Sequence, residues 1–364
     1  MTPCRLCGQS DARVMLTLTP TPLANSFQRR PDRDAVRYPL NVQECIACGH
    51  VQLADLAPIR WQEYQYATPE AMRPYLALAA REIRARYPTA RTAYEIGSNN
   101  GLYLEELHRV GLHAIGIDPC ASQGIREPFS LSLARQLDPV DLVISNNVLA
   151  HVDDMQDVLA GIDHALREDG ALVFEVQYLP RLMAMGACDM IYHEHRDYHT
   201  LRPWVNALRR HGFVIVQYQF METQGGSIRL YCERPGRGVD IPAETLDWRQ
   251  FTEQITLAKV HLLAQIADTE HVIAYGAPAK ACTMIHHFGL ADRILYCVDS
   301  TPAKQGRYLP GTDIEIRPES ALHSDGHEWP ILLMAWNYAD MILPRYPGKR
   351  FILPFERSRQ MVTA

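Results

Sequence analysis

Residues 190–199 read MIYHEHRDYH, which puts three histidines, a glutamate and two tyrosines into ten positions. Imidazoles and carboxyls are the side chains that move protons near neutral pH, so the stretch is a candidate acid–base cluster. A metal site would use His193 with His195, or His195 with His199 one helical turn on. The H-E-x-x-H order that sets two imidazoles and a base on one helix face is absent, and no nearby third ligand is indicated. A polar knot with no chemistry would bury many ionisable groups, which is costly without compensating bonds. If the run is extended, residues two apart share a face, so His193 and His195 would both reach a site. Glu194 could then orient an imidazole, and Tyr192 or His193 could donate to an oxyanion.

Two cysteine pairs offer a different chemistry. CRLCG (Cys4, Cys7) and CIACG (Cys45, Cys48) are matched C-x2-C-G knuckles. At this spacing both thiolates of a pair can face one ion, and the two pairs complete a tetrahedral Cys4 site for structural zinc. Reduced thiols favour that reading over disulfides. A third group lies in YEIGSNNG, where Gly97 and Gly101 bracket a polar turn with Glu95, Ser98, Asn99 and Asn100. Asp118 ends the next strand, HAIGIDP, where it could accept from ribose hydroxyls. Glycines let backbone approach a ligand closely. The spacing differs from the dinucleotide pattern G-x-G-x-x-G and looks like the S-adenosylmethionine loop of class I methyltransferases. Asn147 and His151, in SNNVLAHVDD after a later strand, suit the lip of the same cleft.

Hydrophobic periodicity shows what must carry these groups. Apolar residues at helical spacing begin near Met72 and stop at Pro88. Residues 92–175 alternate short apolar runs with amphipathic stretches, which predicts a parallel, doubly wound sheet. Its last helix, MQDVLAGIDHALREDG, is expected to close at Gly170. FVIVQYQF and SIRLYCER read as a strand pair, and RPGRGVDIPAE as a linker. A second strand–loop–helix–strand pattern starts at HVIAYGAPAK, with WPILLMAWNYADMIL and RFILP as later strands. The expected fold class is α/β in three parts. A small zinc-binding domain covers 1–66, a class I methyltransferase (Rossmann-like) domain 67–235, and a Rossmann-like α/β domain 236–364.

Composition narrows the function classes. The net charge of −6 comes from 36 basic and 42 acidic residues without long single-sign blocks, so there is no footprint for nucleic acid or an anionic membrane. No apolar run is long enough to span a bilayer. MTPCRLCGQS lacks the pattern of a signal peptide, so a cytoplasmic location is expected.

Taken together, CRLCG, PLANSF, YPLNVQECIACGHVQL, EIGSNNG, NNVLAHVDD, YHEH, GGSIRLY, YGAPAK and DSTPAKQGRYLPG resemble the sugar C-methyltransferases of deoxysugar pathways over nearly the whole chain. Members of that family methylate C3 of a nucleotide-linked 4-keto-2,6-dideoxy sugar, usually on a thymidine diphosphate carrier. The resemblance implies that the Gly97–Gly101 loop and Asp118 hold S-adenosylmethionine. It makes Tyr192, His193, Glu194 and His195 the catalytic run, with His195 the base. It puts GAPAK (Gly276, Ala277, Lys280) by the nucleotide, with Lys280 or Lys304 facing phosphate and Tyr198 near the substrate. Two stretches depart from the family pattern. An apolar residue, a serine and then Tyr-Phe-Ser commonly follow the catalytic run, whereas RDYHT here brings Arg196, Asp197 and His199. The glycine loop commonly reads S-N-D-G, whereas Asn100 stands here.

The implied chemistry gives the acid–base run a task. An unactivated C–H will not attack a sulfonium, but a neighbouring ketone lets a base remove the α-proton and form an enolate. Methylation of another activated sugar, or of oxygen, is the alternative, and oxygen needs no enolate. A zinc-knuckle nucleic-acid-binding protein with an inactive methyltransferase fold is a third reading, opposed by the acidic charge balance. The expected partners are a nucleotide-sugar substrate and a second copy at most: a monomer or homodimer.

Overall fold

The computed structural model describes residues 2–59, 61, 68–234, 236–323 and 329–355. The expected boundaries at 66/67 and at 235 fall outside them. In the N-terminal part, β1 (Ala12–Thr21), β2 (Tyr38–Cys45) and β3 (Val51–Leu53) form an antiparallel meander. A helix, α1 (Arg73–Arg86), leads into the central part, as the periodicity from Met72 to Pro88 predicts.

The central part then alternates: β4 (Thr92–Ile96), α2 (Leu102–Arg109), β5 (His113–Ile117), α3 (Leu131–Ala134), β6 (Val140–Asn146), α4 (Met155–Ala165) and β7 (Leu166–Gln177). After α5 (Leu179–Ala184) come a two-residue strand β8 (Asp197–Tyr198), α6 (Leu201–Arg209), β9 (Val214–Met221) and β10 (Ser227–Glu233). The sheet order is β5-β4-β6-β7-β10-β9, parallel from β5 to β7 and antiparallel at β10 and β9. The chain lays β5 on one side of β4 and β6 on the other. That reversal opens a crevice at the carboxyl ends of β4 and β6, where doubly wound sheets bind ligands. The strand β8 does not join this sheet. It pairs with β3 and completes the N-terminal sheet, so sequence from the central part builds the N-terminal one.

The C-terminal part opens with α7 (Trp248–Gln265), then β11 (Val272–Tyr275), α8 (Ala281–Phe288), β12 (Ile294–Val298), β13 (Ile316–Arg317), β14 (Ile331–Leu333) and β15 (Phe351–Ile352). The order is β13-β12-β11-β14-β15, all parallel, with a second reversal between β11 and β14.

Three expectations need correction. The helix α4 stops at Ala165 rather than Gly170, because buried Leu166 already pairs with Val140 of β6 while Arg167–Asp169 bulge out to solvent. The run WPILLMAWNYADMIL is a strand only over Ile331–Leu333. Beyond it Trp336, Ala339 and Ile342 are buried at helical spacing, so packing overrides an apolar run that periodicity alone cannot assign. The stretch read as a linker is anchored. Glu244 accepts from Tyr178 Oη (2.9 Å), Leu201 N (2.9 Å) and Arg202 N (3.1 Å). It thus caps α6, whose N-cap residue Thr200 makes no side-chain cap bond.

Glu244→Ala should therefore destabilise the protein by about 1 kcal/mol, the usual worth of a helix N-terminal carboxylate cap. A thermal melt should show a lowered midpoint; an unchanged one would mean that water replaces the cap without loss.

Candidate active site

The four thiols of the knuckles lie within 4.8 Å of one another. The Cys4–Cys48 and Cys7–Cys45 Sγ separations are both 3.6 Å. A tetrahedron with Zn–S bonds of about 2.3 Å has an edge near 3.8 Å, whereas a disulfide would need about 2.05 Å. Each knuckle closes through a left-handed glycine, Gly8 (φ 79°) and Gly49 (φ 75°), whose N–H returns to the first cysteine carbonyl at 2.8 Å. Shape and donor set fit zinc.

A cleft of about 420 Å³ runs along the carboxyl ends of β4, β5 and β6. Of the expected cofactor residues, Glu95, Gly97, Ser98, Asn99, Asp118, Asn147 and His151 line it. Asn100 and Gly101 do not. Asn100 donates to Thr68 O (3.0 Å) and Gly101 caps α2 at φ 80°, so they shape the loop from behind. Gly97 has φ 81°, and a Cβ there would sit 2.0 Å from Val148 Cγ2, so no other residue fits without displacing the next loop. Asp118 accepts from the Asn99 and Cys120 amides at 3.1 and 2.5 Å, which orients its carboxylate. Burial pushes its pKa up against those bonds. Burial also raises Glu95 to about 8, with the Asp118 charge adding to it. Glu95 Oε2, Ser98 Oγ and Asn147 Oδ1 are buried without a hydrogen-bond partner among the described residues. Such orphaned acceptors at a cleft fit a cofactor carrying hydroxyls, an ammonium and a sulfonium.

The expectation that His193 and His195 share a face fails. Residues 192–195 form a tight turn, with His195 N bonded to Tyr192 O at 2.9 Å. A turn brings residues three apart together, so Tyr192 and His195 face each other and the cleft while His193 and Glu194 point away from it. His193 packs edge-on against Tyr38 of the N-terminal sheet. Glu194 directs its carboxylate to Asn25, accepting from N and Nδ2 at 3.0 Å, and does not orient His195 by that group. Its carbonyl instead holds His151 Nδ1 at 2.8 Å. Tyr198 is in the core, on β8, and does not line the cleft.

His195 has a defined tautomer. Its Nδ1 lies 3.1 Å from Met190 O, which can only accept, so Nδ1 carries the proton. Its Nε2 then accepts from Tyr192 Oη at 2.6 Å. The rings of His151 and His195 have centroids 4.7 Å apart. Burial holds His195 well below the ordinary imidazole pKa, with the neighbouring His151 adding to the effect.

The carboxyl ends of the C-terminal sheet meet the same cleft. Lys280 and Lys304 line it, whereas Gly276 and Ala277 lie beneath the lining loop. Gly276 has φ 88°, and Ala277 N donates to Asp299 Oδ2 at 2.7 Å. Lys304 Nζ donates to Ala277 O at 2.8 Å. Lys280 Nζ makes no hydrogen bond among the described residues; it lies 3.7 Å from Asp189 and 3.6 Å over the Trp336 ring. Burial lowers it to about 7 against the pull of Asp189.

Residue-by-residue reading of the sequence missed Asn25, Gln177, Asn337 and Tyr338 in the lining. Asn25 had a signal, since PLANSF stands among the distinctive motifs. The others had none, because only the meeting of two sheets brings them to one place.

Fold and cleft together define a methyltransferase with a zinc-bearing extension. Family models match three successive stretches: "Putative zinc binding domain" over residues 4–60, "Methyltransferase domain" over 64–218 and "C-methyltransferase C-terminal domain" over 237–354. The C-methyltransferase NovU of Streptomyces niveus is 29% identical over 409 aligned residues, covering 98% of this chain and 96% of that protein. Over nearly its whole length the chain is thus similar to a C-methyltransferase, and its cofactors are S-adenosylmethionine and zinc. Among solved structures, the magnesium protoporphyrin IX methyltransferase ChlM from Synechocystis PCC 6803 with bound SAH is 14% identical. It covers 48% of this chain and 90% of its own, with a TM-score of 0.36. A SAM dependent methyltransferase from Archaeoglobus fulgidus is 18% identical, covering 51% and 86%, with a TM-score of 0.34. Among the described residues no helix is long and apolar enough to cross a membrane.

Protein purified without added metal should carry one zinc per chain by elemental analysis, and Cys45→Ser should lose the metal together with folding of the N-terminal sheet. A metal-free protein with an unchanged thermal melt would contradict this.

Three buried histidines and the half-buried His151 make stability acid-sensitive. Burial lowers His151 and His193 to about 4, His199 to about 3, and His195 well below its ordinary value. All four stay neutral when folded but charge when unfolded below about pH 6.5. Their contribution is therefore full above that pH and is lost as pH falls toward 4, at roughly 1.4 kcal/mol per pH unit for each ring. Unfolding at pH 5 should take up about four protons at these rings. His151→Asn should lower the total uptake by about one, read calorimetrically in two buffers, and equal uptake would show that His151 is charged when folded.

Proposed function

We propose that this protein methylates carbon on a nucleotide-linked keto-sugar, at C3 of a 4-keto-deoxysugar on a thymidine diphosphate carrier, with Tyr192 and His195 as the acid–base pair. One observation carries the reading: the 2.6 Å bond between Tyr192 Oη and His195 Nε2, facing a cleft that receives the carboxyl ends of two doubly wound sheets. Carbon methylation needs a proton removed from the acceptor, and oxygen methylation gives this pair much less to do.

S-adenosylmethionine, when bound, supplies an electrophilic methyl group. Asp118 and the Gly97–Gly101 loop, with Glu95, would hold it, and Asn147 and His151 would lie toward its methionyl end. His195 removes the α-proton beside the ketone through Nε2, the nitrogen that the Met190 carbonyl leaves unprotonated. Its depressed pKa makes the base fully available at neutral pH, at some cost in basicity. Tyr192 is the donor to the enolate oxygen, since His193 points away from the cleft; turning its hydroxyl from Nε2 to that oxygen frees the nitrogen lone pair for the α-proton. On the C-terminal side Lys280 is the phosphate partner rather than Lys304, whose ammonium already bonds Ala277 O. An incoming diphosphate would restore the full charge of a lysine that burial holds near 7. Cytoplasmic placement suits both the thiolates and a nucleotide-sugar acceptor.

His195→Asn and Tyr192→Phe should each cut methyl transfer by about 10²–10⁴-fold. The double variant should be no worse than the more damaged single, because groups acting as one unit are not additive. Affinity for S-adenosylmethionine should stay within about threefold, by calorimetry. Product mass spectrometry over a panel of nucleotide keto-sugars reads both the acceptor and the rate. Full activity in His195→Asn, or an acceptor methylated on oxygen, would overturn the reading.

A further inference from the structure

The mechanism leaves unused a buried charge cluster between the zinc knuckle and the acid–base turn. Arg5 lies between the ligand cysteines Cys4 and Cys7, and its side chain is buried. Its Nε donates to both carboxylate oxygens of Asp197, at 3.1 and 2.9 Å. Its Nη1 and Nη2 donate to the carbonyls of Asp153 (2.9 Å) and Val152 (2.6 Å). His50, two residues past Cys48, reaches the same carboxylate through Nε2 at 2.8 Å. Asp197 lies two residues after His195, and Val152 directly follows His151. One guanidinium thus spans the two loops whose imidazoles face each other in the cleft. Backbone bonds extend the same junction: Arg196 N donates to Ala150 O at 2.8 Å and Leu53 N to Arg196 O at 2.9 Å.

We propose that Arg5 is a positioning residue, through which the zinc-bound knuckle sets the placement of the His151 and His195 loops relative to each other. The four thiols do not line the cleft, yet the arginine between the first two acts on both loops. A lysine at this position keeps the charge but cannot reach a carboxylate and two carbonyls at once. The consequence for rate rests on the proposed catalytic roles of Tyr192 and His195; the mechanical claim does not.

The test uses the full-length, zinc-loaded protein with Arg5→Lys. Zinc should remain at one per chain. Amide hydrogen exchange should quicken by about tenfold or more in peptides covering 146–154 and 186–200, and stay unchanged over 272–298. The kcat should fall by about 10- to 100-fold with KM within about threefold, as expected when groups are misplaced but binding is kept. Unchanged exchange in both loops, or equal quickening everywhere, would overturn the proposal. Quickened loops with unchanged kcat would uphold the positioning and overturn the acid–base reading of the turn. If Arg5→Lys loses zinc, Asp197→Asn, outside the knuckle, takes its place, and the same exchange pattern is required of it.

Discussion

A carboxylate with almost no access to water, Asp197, is the constraint around which the N-terminal half is arranged. Burial alone would drive a proton onto it; the Arg5 charge and the His50 bond outweigh burial and hold it below the ordinary carboxylate range. Taking away one partner of such a pair costs about 3–5 kcal/mol, because the other charge stays buried and unmatched. The pairing therefore decides where the chain runs. It places β8 beside β3, which ties central sequence into the N-terminal sheet, and it leaves residues 192–195 to turn in the space before that strand.

The turn in turn decides which groups meet. Proximity at three residues' separation puts a phenol against an imidazole, and the Met190 carbonyl settles which nitrogen holds the proton. The intervening pair, His193 and Glu194, faces the N-terminal part and fastens the turn there through Tyr38 of β2 and Asn25 of the β1–β2 connection. A cluster that looks like one chemical unit in the sequence divides into two outward-facing halves, one toward the cleft and one toward the scaffold.

Two doubly wound sheets present their carboxyl ends to a common space, and that explains the uneven polarity of the cleft. The side belonging to the central sheet carries acceptor atoms buried without partners among the described residues: Glu95 Oε2, Ser98 Oγ and Asn147 Oδ1. The side belonging to the C-terminal sheet carries Lys280, held over an indole beside Asp189. Acceptors on one wall and a cation on the other suit a donor bearing positive charge and an acceptor bearing phosphate.

Motif chemistry was legible in the sequence wherever spacing along the chain equals spacing in space. The C-x2-C-G knuckles and the Gly97 loop with its strand-end Asp118 are local, so their geometry follows from backbone turns that the residues themselves dictate. Strand–helix alternation likewise specified the parallel strands of both sheets. The face of each residue in MIYHEHRDYH could not be read, because a strand and a turn suit that composition equally and a distant guanidinium selects between them. Arg5 and Asp197 stand 192 residues apart. Nothing in the periodicity of either segment pairs them; only packing two oppositely charged groups out of water does.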